Sequence, residues 1–129
     1  MAALGDGLMI RKPGQDTEHL WVLVTKPDPK TGELIMVNVT TQRPHSDTTT
    51  ILNVGDHPFI QRPSVVFYAD ARLANVTEIA AALARGVIRQ HDPFTLPVHR
   101  RIQEGLLRSQ FTPLKIKNAF RKAQNEDRA

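Results

Sequence analysis

The sequence predicts an α+β domain, with a β-sheet core formed by its first half and helices after it that carry its positive charge. Three observations predict it. Short runs of β-forming residues recur up to about residue 75, separated by Pro, Gly, Asn and Asp. From Thr77 onward the apolar period changes from strand-like to helical. Up to residue 96 nine Lys/Arg face ten Asp/Glu, whereas from residue 97 on eight face three. Strands first and helices after is the order of an α+β domain.

The clearest strand is Leu20-Trp21-Val22-Leu23-Val24-Thr25, a nearly continuous apolar run. The turn Lys26-Pro27-Asp28-Pro29-Lys30-Thr31-Gly32 joins it to Leu34-Ile35-Met36-Val37-Asn38-Val39-Thr40. Both runs are apolar on two faces, so this hairpin is expected at the centre of a curled sheet. Ile51 to Val54 forms a short strand stopped by Gly55-Asp56, and Pro63 introduces another at Ser64 to Ala69. With a weaker first strand at Leu8-Met9-Ile10 the total is about five, as in a small barrel or a strongly bent sheet. Thr77 is the expected N-cap of a helix over Glu78–Arg85, which Gly86 ends. Pro97 suits the first turn of a second helix, with Val98, Ile102, Gly105 and Leu106 on one face. Thr112-Pro113 repeats the signal before a third helix over Leu114–Gln124, and Asn125 to Ala129 are expected to fray. The barrel core spans about residues 8–75 and the basic helical part about 77–124, together one domain over 1–129.

At 129 residues, 40% apolar and 23% charged, the chain is long enough to bury a core without staples. Cysteine is absent, which removes disulfides, thiolate ligands and thiol nucleophiles. No apolar run approaches the roughly 18 residues of a membrane span. Met1 to Gly14 lacks the basic-then-apolar order of a signal peptide, so a cytoplasmic protein is expected. There is no phosphate-binding glycine loop, HExxH, GxSxG or dinucleotide fingerprint, and the five histidines lie far apart without ligand spacing. Neither metal nor cofactor is expected.

Three places can carry chemistry. His19 immediately precedes the strongest strand, where a strand end presents side chains to a cleft, and histidine shuttles protons near neutral pH. Thr40-Thr41-Gln42-Arg43 leaves the second strand. Its hydroxyls can hold a phosphate and Arg43 can stabilise developing charge. In Gly55-Asp56-His57-Pro58, Asp56 can orient His57 for a second proton transfer, although the same residues also make an ordinary turn. Aromatic residues are only 5% of the chain, so Trp21, Phe59, Phe67 and Tyr68 are expected in the core rather than on a base-stacking platform. Arg11, Lys26, Arg100, Arg101, Lys115 and Lys117 are the candidate phosphate-backbone contacts, and the last four also suit solvated faces of amphipathic helices.

From His19 to Thr41 the sequence resembles the MazF/PemK toxin family (plasmid maintenance toxins and cell growth inhibitors). In that family a strand like R-P-V-L-V-I-S precedes a loop and a strand ending P-x-T-S or P-x-T-T-Q. The matching stretches are His19-Leu20-Trp21-Val22-Leu23-Val24-Thr25 and Val37-Asn38-Val39-Thr40-Thr41-Gln42. Pro63 to Ala71 is similar to the family's S-x-V-x-x-x-Q-I-R strand, and the likeness covers about residues 8–75. It implies an SH3-like barrel that cuts single-stranded RNA without a metal, often as a homodimer, and is neutralised by an antitoxin. The family's Ser/Thr falls on Thr40 or Thr41, but the place of its arginine is taken by His19, with Arg11 the nearest arginine upstream. Histidine can move a proton but is not a permanently charged clamp.

The resulting expectation is a toxin-like endoribonuclease using His19, Thr40, Thr41 and Arg43, with His57 for the second proton transfer. Two other readings stay open: a non-catalytic nucleic-acid-binding module using residues 97–122, and a protein-interaction domain whose Leu107 and Phe111 form a contact surface.

Overall fold

The structure is a computed structural model and describes residues 4–11 and 17–128, so Ala129 and part of the Met1–Gly14 stretch lie outside it. The strands are β1 (Gly7–Arg11), β2 (Glu18–Leu23), β3 (Glu33–Thr41), β4 (Ile51–Leu52), β5 (Ser64–Asn75) and β6 (Arg89–His91). The helices are α1 (Val76–Ala84), α2 (Leu96–Arg108) and α3 (Leu114–Arg128). All pairings are antiparallel, in the order β4-β5-β3-β2-β1-β6, and the sheet curls into a half-barrel. The α+β class and the central place of the hairpin β2–β3 are as the sequence predicts.

The two-faced apolar strands are explained by what covers each face. Successive strand residues point to opposite sides. On one side Leu20, Val22, Ile35, Val37, Val39, Val66 and Tyr68 pack with Val98, Ile102 and Leu106 of α2 and Ile116 and Phe120 of α3. On the other, Leu8, Trp21, Leu23, Leu34 and Met36 pack with Ile79 of α1 and Ile88. At about 25 cal/mol per Å² of apolar surface, each fully buried Leu, Val or Ile side chain contributes roughly 1.5–3 kcal/mol. Both hydrophobic clusters therefore depend on the alternation within β2 and β3.

Polar side chains pin α2 to the sheet. Tyr68 OH donates to Ile102 O (2.8 Å) and is bonded to Thr50 Oγ1 (2.8 Å), and burial pushes its hydroxyl far above the usual phenol range. His99 Nε2 meets Leu23 O (2.9 Å), and Gln103 Nε2 donates to Val24 O (3.0 Å). At the far end of α2, Ser109 Oγ donates to Asp47 Oδ2 (2.6 Å). Burial raises the Asp47 pKa, but the bonds from Ser109 and Thr49 outweigh it and hold the carboxyl below its ordinary range.

Several boundaries differ from the sequence reading. β5 continues to Asn75, and β6 was not expected at all. The cap of α1 is Asn75, whose Oδ1 accepts from Thr77 N (2.8 Å) and Glu78 N (3.4 Å), so Thr77 lies inside the first turn. Thr112 Oγ1 is buried without a hydrogen-bond partner, so its hydroxyl does not cap α3, and that helix extends past Gln124 to Arg128. Trp21 and Tyr68 are core residues, but Phe59 and Phe67 are 39% and 40% exposed. Phe111 is exposed as expected, whereas Leu107 is partly buried against the core. No helix among the described residues is long and apolar enough to cross a membrane.

Candidate functional site

Leu20 of β2 lies opposite Val39 of β3, so the start of one strand and the end of the other share one end of the sheet. That register brings two of the three sequence candidates for chemistry together. His19, Thr40, Thr41 and Arg43 line one open cavity of about 530 Å³, with Glu18, Pro58, Phe59, Gln61, Arg62 and His91 among its other walls. This volume is within the range of small-ligand sites. A second depression of about 400 Å³ shares Thr41, Arg43 and Arg62 and continues past Gln42, Pro44 and Pro63. Together the two make a groove rather than a closed pocket.

Each wall is held by local structure. Thr40 and Thr41 pair with Val65 and Ser64 of β5, and Gln42 N donates to Pro63 O (3.0 Å) as the strands part. Arg43 leads a turn in which its N–H donates to Ser46 Oγ (2.7 Å) and Ser46 N returns to Arg43 O (3.1 Å). The opposite wall follows the turn at Asn53–Asp56, where Gly55 takes φ +101°. Beyond it Ile60 inserts into the core, and its N–H donates to His57 O (2.9 Å). β6 supplies His91, placed opposite Gly7 of β1.

The cavity carries a local excess of positive charge. Arg43 and Arg62 form no ion pair with a carboxylate among the described residues. Glu18, the carboxylate on the wall, is engaged by Arg89 (2.6 Å), whose hydrogen bond holds its carboxyl below the usual range. Arg11 is the cross-strand partner of Glu18 but does not itself line the cavity. The other basic candidates lie elsewhere. Lys26 lines a separate cavity of about 260 Å³ with Lys122 and Glu126. Arg101 is occupied by Ile51 O and by Asp56 (3.5 Å). Arg100, Lys115 and Lys117 are not among the cavity residues.

His57 stands behind the wall rather than in it. It is 3% exposed, its Nδ1 accepts from Phe59 N (3.1 Å), and its Nε2 donates to Asp92 O (2.7 Å). Both ring nitrogens are thus committed to backbone, which leaves neither for proton transfer to a ligand in this arrangement. Asp56 does not orient it: that carboxylate accepts from Asn53 N (2.7 Å) and pairs with Arg101. His57 instead stacks on Phe94 (ring centroids 4.3 Å) and backs His91 (5.0 Å). His91, which the sequence reading left without a role, is the second histidine of the cavity. Asp92 N donates to its Nδ1 (2.8 Å), so the neutral ring carries its proton on Nε2 and offers a hydrogen-bond donor there.

Burial holds His57 below the ordinary histidine range, and His99 likewise. As pH falls below about 6.5, the unfolded chain takes up protons that these two buried rings resist, so stability present above that pH is progressively lost. The loss is expected at up to about 1.4 kcal/mol per pH unit for each ring, before any carboxylate is protonated. Denaturant melts between pH 7.5 and 5 should show the fall, and His99→Gln should make it shallower. A flat profile would contradict the burial of both rings.

No family model matches the chain, and no curated protein matches it.

Proposed function

We propose that the chain is a metal-independent endoribonuclease acting on single-stranded RNA, its half-barrel a version of the SH3-like barrel of the MazF/PemK toxins. The observation that carries this reading is the convergence of His19, Thr40, Thr41, Arg43, Arg62 and His91 on one open, positively charged cavity. Such cleavage needs no external nucleophile. His19 takes the proton of the RNA 2′-hydroxyl, whose oxygen attacks the adjacent phosphorus as the bond to the 5′-oxygen breaks. Water in the open cavity gives the leaving oxygen its proton. A hydroxyl from Thr40 or Thr41, strand neighbours that face opposite sides of β3, and His91 Nε2–H donate to the phosphate oxygens, while Arg43 and Arg62 balance the charge that grows on them. His57 acts through His91 by fixing its ring and neighbouring backbone. The resemblance makes an antitoxin and a second copy of the chain the expected protein partners.

The test is incubation of the purified protein with mixed single-stranded RNA in EDTA. Expected products end in 2′,3′-cyclic phosphate and 5′-hydroxyl, and a 2′-deoxy substitution at the cut position should block cleavage. Intact RNA over a broad set of sequences would overturn the catalytic part of the reading.

A further inference from the structure

Phe59 was expected in the core, yet it is 39% exposed and lines the cavity beside Pro58. Its position is well fixed for an exposed ring. Its backbone N–H donates to the buried His57 ring (3.1 Å), and the following Ile60 is anchored in the core. Its side chain makes a T-shaped contact with His91, with centroids 5.9 Å apart and planes at 82°. A ladder of rings thus runs from the interior to the cavity: Phe94, His57, His91, Phe59. A T-shaped contact takes up at most one face of the Phe59 ring, and the ring is well exposed.

We infer that Phe59 is a stacking platform for one unpaired nucleobase of a single-stranded RNA whose phosphate lies toward Arg43 and Arg62. This rests on the ribonuclease reading of the cavity and adds what that reading lacks, a means of holding a base. A nucleotide joins a flat aromatic surface to an anion, and the cavity joins an aromatic surface to two cations that pair with no carboxylate among the described residues. Every base has a π face, so the platform favours unstacked single strands with little sequence preference. A duplex, whose bases are already stacked, is not bound in this way.

The experiment measures binding of a short fluorescent strand of 2′-O-methyl RNA, which lacks the nucleophile and cannot be cut, while cleavage of ordinary RNA is followed in parallel. Phe59→Ala is expected to weaken binding about 5- to 150-fold, and Phe59→Trp to retain it. The loss in Phe59→Ala should be nearly independent of salt, whereas that in Arg62→Ala should shrink as salt rises. Replacing successive nucleotides by abasic residues should weaken binding to the native protein at one position and leave Phe59→Ala unaffected there. Equal binding by the native protein and Phe59→Ala would overturn the platform, as would full retention by Phe59→Leu; cleavage persisting in either case would leave the ribonuclease reading intact. Phe59-dependent binding without cleavage would uphold the platform and remove the catalysis. Failure of the native protein to bind any strand would overturn the platform.

Discussion

Gly105→Ala should melt roughly 10 °C or more below the native protein, although alanine is the better helix former by about 1 kcal/mol. Gly105 lies in α2 where the helix crosses the hydroxyls of Thr50 and Tyr68. A Cβ at this position would overlap both hydroxyl oxygens and stand 2.9 Å from Tyr68 Cζ. Tyr68 cannot give way cheaply, because it is completely buried and its hydroxyl bonds to both Ile102 O and Thr50 Oγ1. Relieving the overlap means moving α2 away or breaking that pair. Overpacking of a core typically costs about 1–3 kcal/mol, and a buried hydroxyl left unsatisfied costs a further 1–3 kcal/mol or so. Against the helix-propensity gain, the balance is a loss of about 3 kcal/mol, a large share of an ordinary domain's stability. Combining Gly105→Ala with Tyr68→Phe and Thr50→Ala removes both oxygens and should recover part of the loss, as coupled neighbours do. An unchanged or raised melting temperature for Gly105→Ala alone would show that α2 is not seated as described.

The sequence makes this packing only half visible. Val98, Ile102, Gly105 and Leu106 fall on one helical face, which identifies α2 and its buried side. The partners of Gly105 come from residues 50 and 68, and no local pattern connects those positions. The same division runs through the site. His19, Thr40 and Thr41 are legible because they sit at the ends of a hairpin whose two runs announce themselves. Antiparallel pairing then obliges the start of β2 and the end of β3 to meet. His91 reaches the cavity through β6, a strand of Arg89-Gln90-His91 held by pairing to β1, with no apolar alternation to reveal it. Phe59 departs from its expected burial for a related reason. Its apolar neighbour Ile60 suggested a buried segment, and only the anchoring of Ile60 in the core shows which of the two faces out. The one available hint was Pro58-Phe59 directly after a histidine, in a turn where side chains cannot all be buried.

His19→Ala should reduce RNA cleavage by at least about a hundredfold, as loss of a positioned general base does, while changing stability by no more than about 1 kcal/mol. The small structural effect follows from location: His19 is half-buried as the second residue of β2, and the hydrophobic contacts of that strand begin at Leu20. The catalytic effect follows from its proposed role as the base, which His91, the other histidine lining the cavity, does not duplicate. His91 has Nδ1 occupied by Asp92 N and offers a proton rather than accepting one. The two variants should therefore differ in kind. His19→Ala should lose the rise in rate that accompanies deprotonation of a base, and an added imidazole buffer should partly restore it. His91→Ala should keep that pH dependence and lose about 10²–10³ in kcat, the usual effect of deleting one donor to a developing oxyanion. His57→Phe retains the stack on Phe94 but gives up both backbone bonds, so it should resemble a weaker His91→Ala and leave the pH dependence in place. Full cleavage by His19→Ala would remove it as the base. Identical pH profiles for the native protein and both cavity variants would remove the distinction between base and donor on which the proposed mechanism depends.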